Sequence, residues 1–328
     1  MDNSSKYVKL YEEKAEESLK KWGYYYPPRT WEEFYAWEDK TFEKYLKEEE
    51  NGARKTKSYV GLLDTIKDFG LYYALRQTDY ETLNNVLYQI SRLELLDSGM
   101  TASGTDHCNA LLDATSAFAC NDFEIIDHFF PKNLPYSQGK YYTEISVNLL
   151  RVLYYKEFEL QTEVIQKANK FLNKKITLWE QYVILYFLSL VNRNIEETNK
   201  CLQELCAAYQ KIGYPKDKLD KCFASEIHGL YRFARLIDEV YFSRISRPKH
   251  PCFFEEFEIW QQNNNYPKGK LFYKYPEKMD YMNKIFEAEL PFITLHAPYP
   301  DKKDIYKDVD QFAKDLTENI SREIKTIS

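Results

Sequence analysis

The chain has 328 residues, a mass of 39.3 kDa and a formal charge of −6, with pI ≈ 5.6. Glycine (10) and proline (12) are scarce, while aromatics reach 16% and hydrophobic residues 44%. This composition excludes disorder and argues against an all-β fold built on tight turns or a glycine-rich phosphate loop. The mild acidic balance disfavours a generic nucleic-acid or anionic-membrane surface, which needs a basic face.

Residues 5–22 carry Tyr7, Leu10, Tyr11, Ala15, Leu19 and Trp22 at helical spacing, and Gly23 and Pro27-Pro28 end the run. Thr30 before Trp31-Glu32-Glu33 reads as an N-cap with acids in the first turn. Trp31, Phe34, Tyr35, Phe42 and Tyr45 line the second helix, and Asn51-Gly52 with Arg54, Lys55 and Lys57 reads as a linker. Two apolar stripes follow, Val60-Leu63-Ile66-Phe69-Tyr73 and Leu83-Val86-Leu87-Ile90-Leu93.

Three stretches then share one plan of apolar helix, polar break and amphipathic helix. They are Cys108–Cys120 with Phe123–Phe130, Tyr142–Tyr155 with Phe158–Leu172, and Leu178–Val191 with Asn194–Tyr209. The breaks are Asn121-Asp122, Lys156-Glu157 and Asn192-Arg193, spaced by about 35 residues, as in stacked helical hairpins of the tetratricopeptide kind. One helix is expected over 217–241, with Leu219, Phe223, Ile227, Leu230, Ala234 and Ile237 on one side. From Ser246 to Pro300 the pattern is irregular. Periodicity does not decide between helix and extended chain for Cys252–Trp260 and Lys270–Tyr275. A closing helix is expected over about 302–326, capped by Asp301.

The expected fold is therefore all-α: an array of antiparallel helical hairpins with an N-terminal helical pair and a C-terminal helix. Residues 1–56 form the pair, 57–245 the hairpin core, and 246–328 the irregular segment and last helix, in one continuous domain. The longest apolar run, Tyr182–Val191, broken only by Ser189, has ten residues, where a spanning helix needs about 20. Met1–Lys21 is charged throughout and lacks an apolar signal core, so a soluble, cytoplasmic protein is expected.

Signatures of phosphate binding, dinucleotide binding, serine hydrolysis and zinc proteolysis are absent from the sequence. Six cysteines, with no C-x-x-C pair, read as small apolar residues rather than a disulfide framework. Of the five histidines, His107 and His128 could meet Cys120 across the first hairpin, but ordinary packing is expected there. His228, one place after Ile227, reads as a polar-face or satisfied residue. The pairs Glu32-Glu33 and Glu255-Glu256 diverge on a helix and make no acid/base couple. Neither catalytic residues nor metal ligands nor a cofactor are expected.

One charge pattern is unusual. From Leu93 to Pro131 there are seven acids and no Lys or Arg. Asp106, Asn109, Asp113 and Ser116 follow i, i+3, i+7, i+10, which places them on one helix face, with Asp122 and Glu124 at the turn nearby. Asp106, Asn109, Asp113, Asp122 and Glu124 are the candidate contacts with a basic partner; the alternative is a solvated stripe opposite the apolar face. Adjacent tyrosines (Tyr24-Tyr25-Tyr26, Tyr72-Tyr73, Tyr141-Tyr142, Tyr154-Tyr155) cannot all face a helical core, so some lie at seams or at an interface.

Two segments resemble the bacterial immunity protein 49 family. They are Asn109-Ala110-Leu111-Leu112-Asp113-Ala114 through Ala117-Phe118-Ala119-Cys120-Asn121-Asp122, and Ser225-Glu226-Ile227-His228-Gly229-Leu230-Tyr231-Arg232-Phe233-Ala234-Arg235 with the proline-containing stretch to Pro251. The likeness lies in helix order and small/apolar pattern over about residues 60–300. It implies a cytoplasmic α-helical antitoxin in bacterial competition, binding a cognate polymorphic or type VI secretion toxin, without an active site. Two other readings stay open: a helical-repeat scaffold that binds a peptide segment, and a helical metalloenzyme using His107, Asp113 and His128.

Overall fold

A computed structural model describes residues 3–46, 52–62, 66–101, 107–213, 216–297 and 305–327. The protein is all-α, 68% helical, and its one sheet among the described residues is a two-stranded ribbon. In chain order the helices are α1 (Asn3–Trp22), α2 (Trp31–Leu46), α3 (Gly52–Val60), α4 (Ile66–Gln77), α5 (Tyr80–Met100), α6 (Leu111–Phe118), α7 (Ile125–Phe129) and α8 (Tyr142–Tyr155). They continue with α9 (Gln161–Leu172), α10 (Leu178–Val191), α11 (Ile195–Tyr209), α12 (Ser225–Ile237), α13 (Glu239–Phe242), α14 (Glu255–Asn263), α15 (Asp280–Glu287) and α16 (Val309–Ile327). Among the described residues, no helix is long and apolar enough to cross a membrane.

The chain divides into two compact units, one made of residues 1–105 with 268–328, the other of 106–267. Neither boundary falls at the composition breaks near 56 and 245, because the first unit joins segments far apart in sequence.

In the first unit, α1 packs on α4, α4 on α5, and α16 on α3 and α5. Its core is aromatic. Tyr11 stacks on Tyr72 at 4.1 Å and donates its hydroxyl to Pro28 O, and Phe34 stacks on Phe69 at 4.6 Å. Thr30 caps α2 as expected, accepting from Glu33 N. Lys270–Tyr275 is not helical. Two buried amides hold it instead: Gln89 accepts from Phe272 N and Tyr273 N, and Asn283 bonds both Tyr275 N and Tyr275 O. Leu295–His296 pairs antiparallel with Tyr306–Lys307. The expected cap Asp301 lies outside the described residues, as does Leu63 of the third stripe. Asp308 caps α16, accepting from Gln311 N.

In the second unit, α8 packs on α9 and on α10, and α10 packs on α11. The first expected hairpin departs from that plan. Residues 107–110 are a 3-10 turn, α6 and α7 are short, and α6 packs chiefly on α12. Arg151, fully buried in α8, donates to Lys132 O and Leu134 O, while Asn148 bonds both Ser137 N and Ser137 O. These side chains clamp the loop before α8. The helix expected over 217–241 is broken: Asp238 adopts extended backbone, ends α12 and caps α13 through Tyr241 N.

The three polar breaks turn without glycine. Asn121, Lys156 and Arg193 each take positive φ, at 60°, 56° and 54°. In each, the next N–H reaches back five residues, Asp122 to Ala117 O, Glu157 to Val152 O and Asn194 to Ser189 O. This is the helix-terminating pattern that glycine usually serves, and a Cβ there costs about 1–2 kcal/mol.

Two glycines serve close approach between helices. A Cβ on Gly229 of α12 would sit 1.6 Å from Thr115 O of α6, and one on Gly99 of α5 would meet the Phe312 ring at 2.5 Å. The helices α6 and α12 thus touch backbone to backbone, which explains the small residues Ala114 and Ala117, both fully buried. Gly229→Ala is expected to destabilise the protein by at least about 3 kcal/mol in urea denaturation, because the helices must separate. At exposed Lys156, replacement by Gly should stabilise by about 0.5 kcal/mol, and Lys156→Ala, which keeps the Cβ, should not.

Candidate functional site

Segments Asn109–Asp122 and Ser225–Arg235 meet in the second unit, on the α6–α12 contact. Ser116 Oγ lies 3.1 Å from Ser225 Oγ, and Phe118 stacks on Phe233 at 5.6 Å. Beside this contact lies a buried ionic network. Glu258 of α14 bonds His228 Nδ1 at 2.6 Å through Oε1, and accepts from Arg232 Nε at 2.7 Å through Oε2. All three side chains are almost wholly out of water.

His228 Nε2 accepts from Phe254 N at 3.1 Å, so the proton sits on Nδ1 and points at Glu258. Burial holds the His228 pKa below its usual value even against the pull of Glu258. Burial alone would raise Glu258, but Arg232 first and then His228 outweigh it and hold the carboxyl below its usual value. The cluster is thus neutral His, carboxylate and guanidinium, with no net charge. Arg232 Nη2 finds no hydrogen-bond acceptor among the described residues; the guanidinium faces the Tyr266 ring, 5.0 Å from its centroid. Asn121 joins the edge, donating to Gln261 Oε1 and Pro267 O. The reading of His228 as a satisfied residue holds. Its partners are 26 and 30 residues away, beyond what spacing shows. With no opening to solvent, the network has the character of a structural brace.

The acidic candidates do not share one open face. Asp106 lies outside the described residues. The i, i+3, i+7, i+10 face assumed one continuous helix, but residues 107–110 are 3-10, and Ser116 points at Ser225 on α12. Asp122 is fully buried behind the Asn121 turn and offers no surface to a partner. Asp127 is taken by both members of a tyrosine pair, Tyr154 and Tyr155, each donating at 3.0 Å. Burial first, then the Asp127 hydrogen bond, pushes the Tyr154 pKa up to about 12. Asn109 and Glu124 are exposed and Asp113 is half-buried.

Exposed aromatic rings meet elsewhere. In the first unit, Trp22 (52% exposed) and Tyr24 (48% exposed) stack at 6.2 Å, Tyr24 stacks on Trp37 at 6.1 Å, and Trp37 meets Tyr26 at 4.6 Å. The Lys21 ammonium lies 4.9 Å from the Trp22 ring. Trp22 closes α1 and Trp37 lies in α2; Trp22 and Tyr24 form the exposed end of this ladder, and Tyr26 and Trp37 are half-buried. A separate cleft of about 350 Å³ in the second unit is lined by Tyr142, Leu178, Trp179, Ala208 and Ile212, with Thr177, Glu180 and Lys211 at its edge.

His107, Asp113, Cys120 and His128 form no ligand-bearing cluster, whereas Cys206, His250 and Cys252 bring three donor atoms within 4.8 Å of one another. Sequence reading passed over that group because its members come from α11 and from a loop more than 40 residues later. The adjacent His250-Pro251-Cys252 was the only visible signal.

Compared with known proteins, the chain matches no family model, no curated protein and no solved structure.

The ionic network makes stability depend on pH in one direction. Both His228 and Glu258 bind protons less readily in the folded chain than at their ordinary pKa values of 6.5 and 4.5. The unfolded chain therefore takes up protons that the folded chain refuses. Stability is full above about pH 6.5 and is lost as pH falls through these values. Thermal unfolding followed from pH 7.5 to pH 4 should show this decline, and His228→Gln should remove its upper part. Glu258→Ala, which strands Arg232 as a buried charge, is expected to cost about 3–5 kcal/mol.

Proposed function

We propose that this chain is an immunity protein, a binding protein rather than an enzyme, which neutralises a cognate bacterial toxin by direct contact in the cytoplasm. The observation that carries the reading is the Trp22–Tyr24–Trp37 ladder, exposed at Trp22 and Tyr24. Large rings held rigid by stacking, yet half open to water, give a partner much apolar area at small entropic cost, and such residues dominate binding energy at interfaces. The resemblance of Asn109–Asp122 and Ser225–Arg235 to the immunity protein 49 family supplies the class of partner. Exposed Asn109 and Glu124 are further candidate contacts with a basic toxin surface.

The toxin partner is sought in the product of the neighbouring gene. Co-expression should yield a complex and rescue cells from toxicity; no complex and no rescue would sink the reading. Within that complex, Trp22→Ala and Tyr24→Ala should each weaken binding about tenfold or more, with the fold unchanged by circular dichroism.

The α8–α10–α11 cleft favours a second reading, a scaffold that takes an apolar peptide side chain beside exposed Leu178. Leu178→Arg distinguishes the two. It should leave toxin binding intact if the ladder is the interface, and abolish peptide capture if the cleft is.

A further inference from the structure

A loop of the second unit is laid along one face of α11. Asn199, Gln203 and Cys206 stand at i, i+4 and i+7, so their side chains share that face. Asn199 Oδ1 accepts from Ser246 N at 2.8 Å and Gln203 Oε1 accepts from Lys249 N at 2.9 Å. The third rung is Cys206 against Cys252: Cys252 Sγ is 4.0 Å from Cys206 O. Cys252 is held from its other side by Ala224 N donating to Cys252 O at 3.0 Å. His250 turns back over the same point, with Nδ1 3.1 Å from Cys252 Sγ and 3.3 Å from Cys252 N. Both thiols are fully buried and His250 is half-buried, so the imidazole lies on the solvent side of the group.

We propose that Cys206, His250 and Cys252 form a binding site for a borderline-soft divalent cation of the zinc class. Two sulfurs and one imidazole nitrogen are the donor set such an ion prefers, and hard ions such as Mg²⁺ and Ca²⁺ do not. The spacing fits. With metal–sulfur bonds of about 2.3 Å and metal–nitrogen bonds of about 2.0–2.1 Å, the edges of a tetrahedron are about 3.6–3.8 Å long. The three donors already lie within 4.8 Å of one another, so closure needs shifts of an ångström or less. The backbone N–H of Cys252 faces Nδ1 at 3.3 Å, which disfavours a proton on that nitrogen; an ion would take the lone pair in place of this long hydrogen bond. Three protein ligands leave the fourth tetrahedral position to water on the His250 side. The two α11 amides fix the loop before any ion arrives, which limits the ordering cost of binding. The inference is independent of the toxin-binding reading.

The test uses the full chain, purified under a non-chelating reductant, stripped of metal and titrated with Co²⁺ and then Zn²⁺. One equivalent of Co²⁺ should bind with thiolate-to-cobalt charge-transfer absorption, and Zn²⁺ should displace it and raise the unfolding temperature. Cys206→Ser and Cys252→Ser should each weaken binding about a hundredfold, and His250→Ala at least about tenfold. Cys201→Ser, a buried thiol on the same helix, should leave binding unchanged. His250→Ala keeps the test decisive should a cysteine variant fail to fold, because its side chain is partly solvent-facing. No stoichiometric binding, equal affinity across all variants, or a Cys206–Cys252 disulfide with no metal affinity after reduction would each overturn the proposal.

Discussion

Glu258 sits where a carboxylate is costly to keep, almost wholly out of water, and the second unit is arranged to keep it charged. Arg232 and His228 come from one face of α12, four residues apart, and both reach the same carboxyl group on α14. The imidazole is pressed between aromatic rings, with Phe253 4.1 Å away and nearly parallel, and its far nitrogen fixes the chain at Phe254. One charge thus orients two helices and the loop that enters α14. A buried network of this kind adds little net stability over a well-packed apolar core, but it is intolerant of partial loss, because each member removed leaves another without a partner. Burial, above all, keeps the histidine neutral, and the nearby guanidinium acts in the same direction.

Around that brace the helices are brought together in two contrasting ways. Where α6 meets α12, Gly229, Ala114 and Ala117 let backbones touch. Where helices of the second unit end, ordinary residues are bent into the left-handed region that glycine would enter without cost. At these three turns the chain tolerates strain that glycine would relieve, whereas Gly229 and Gly99 occupy positions where a Cβ would collide with a neighbouring helix.

Much of the helical plan was legible from residues. The Thr30 cap, the ends of α1 and α8–α11, and the polar breaks follow from local chemistry, and local chemistry is what sequence displays. What failed depended on distance. The acidic stripe assumed that 106–116 runs as one helix, and a 3-10 turn at His107–Ala110 shifts the register. Asp122 reads as a turn residue and is one, but its environment is set by segments that spacing cannot show. Tyr154-Tyr155 is a pair that helix geometry forbids from sharing a face, and the solution was to bring Asp127 to the seam. The Cys206–His250–Cys252 group and the partners of His228 share one cause of invisibility: their members are separated in the chain and joined only by the folding of a loop onto α11 or α14.

The arrangement of the two units has a temporal consequence. The second unit is continuous in sequence, whereas the first needs residues 268–328 to complete its contacts. During synthesis, α1–α5 emerge before residues 268–328, which belong to the same unit. At translation rates of about 5–20 residues per second, that last segment alone takes several seconds. The internal unit can close around its ionic brace in that interval. The internal unit is thus the first whose segments are all present, and α1–α5 emerge well before the segment that completes their unit.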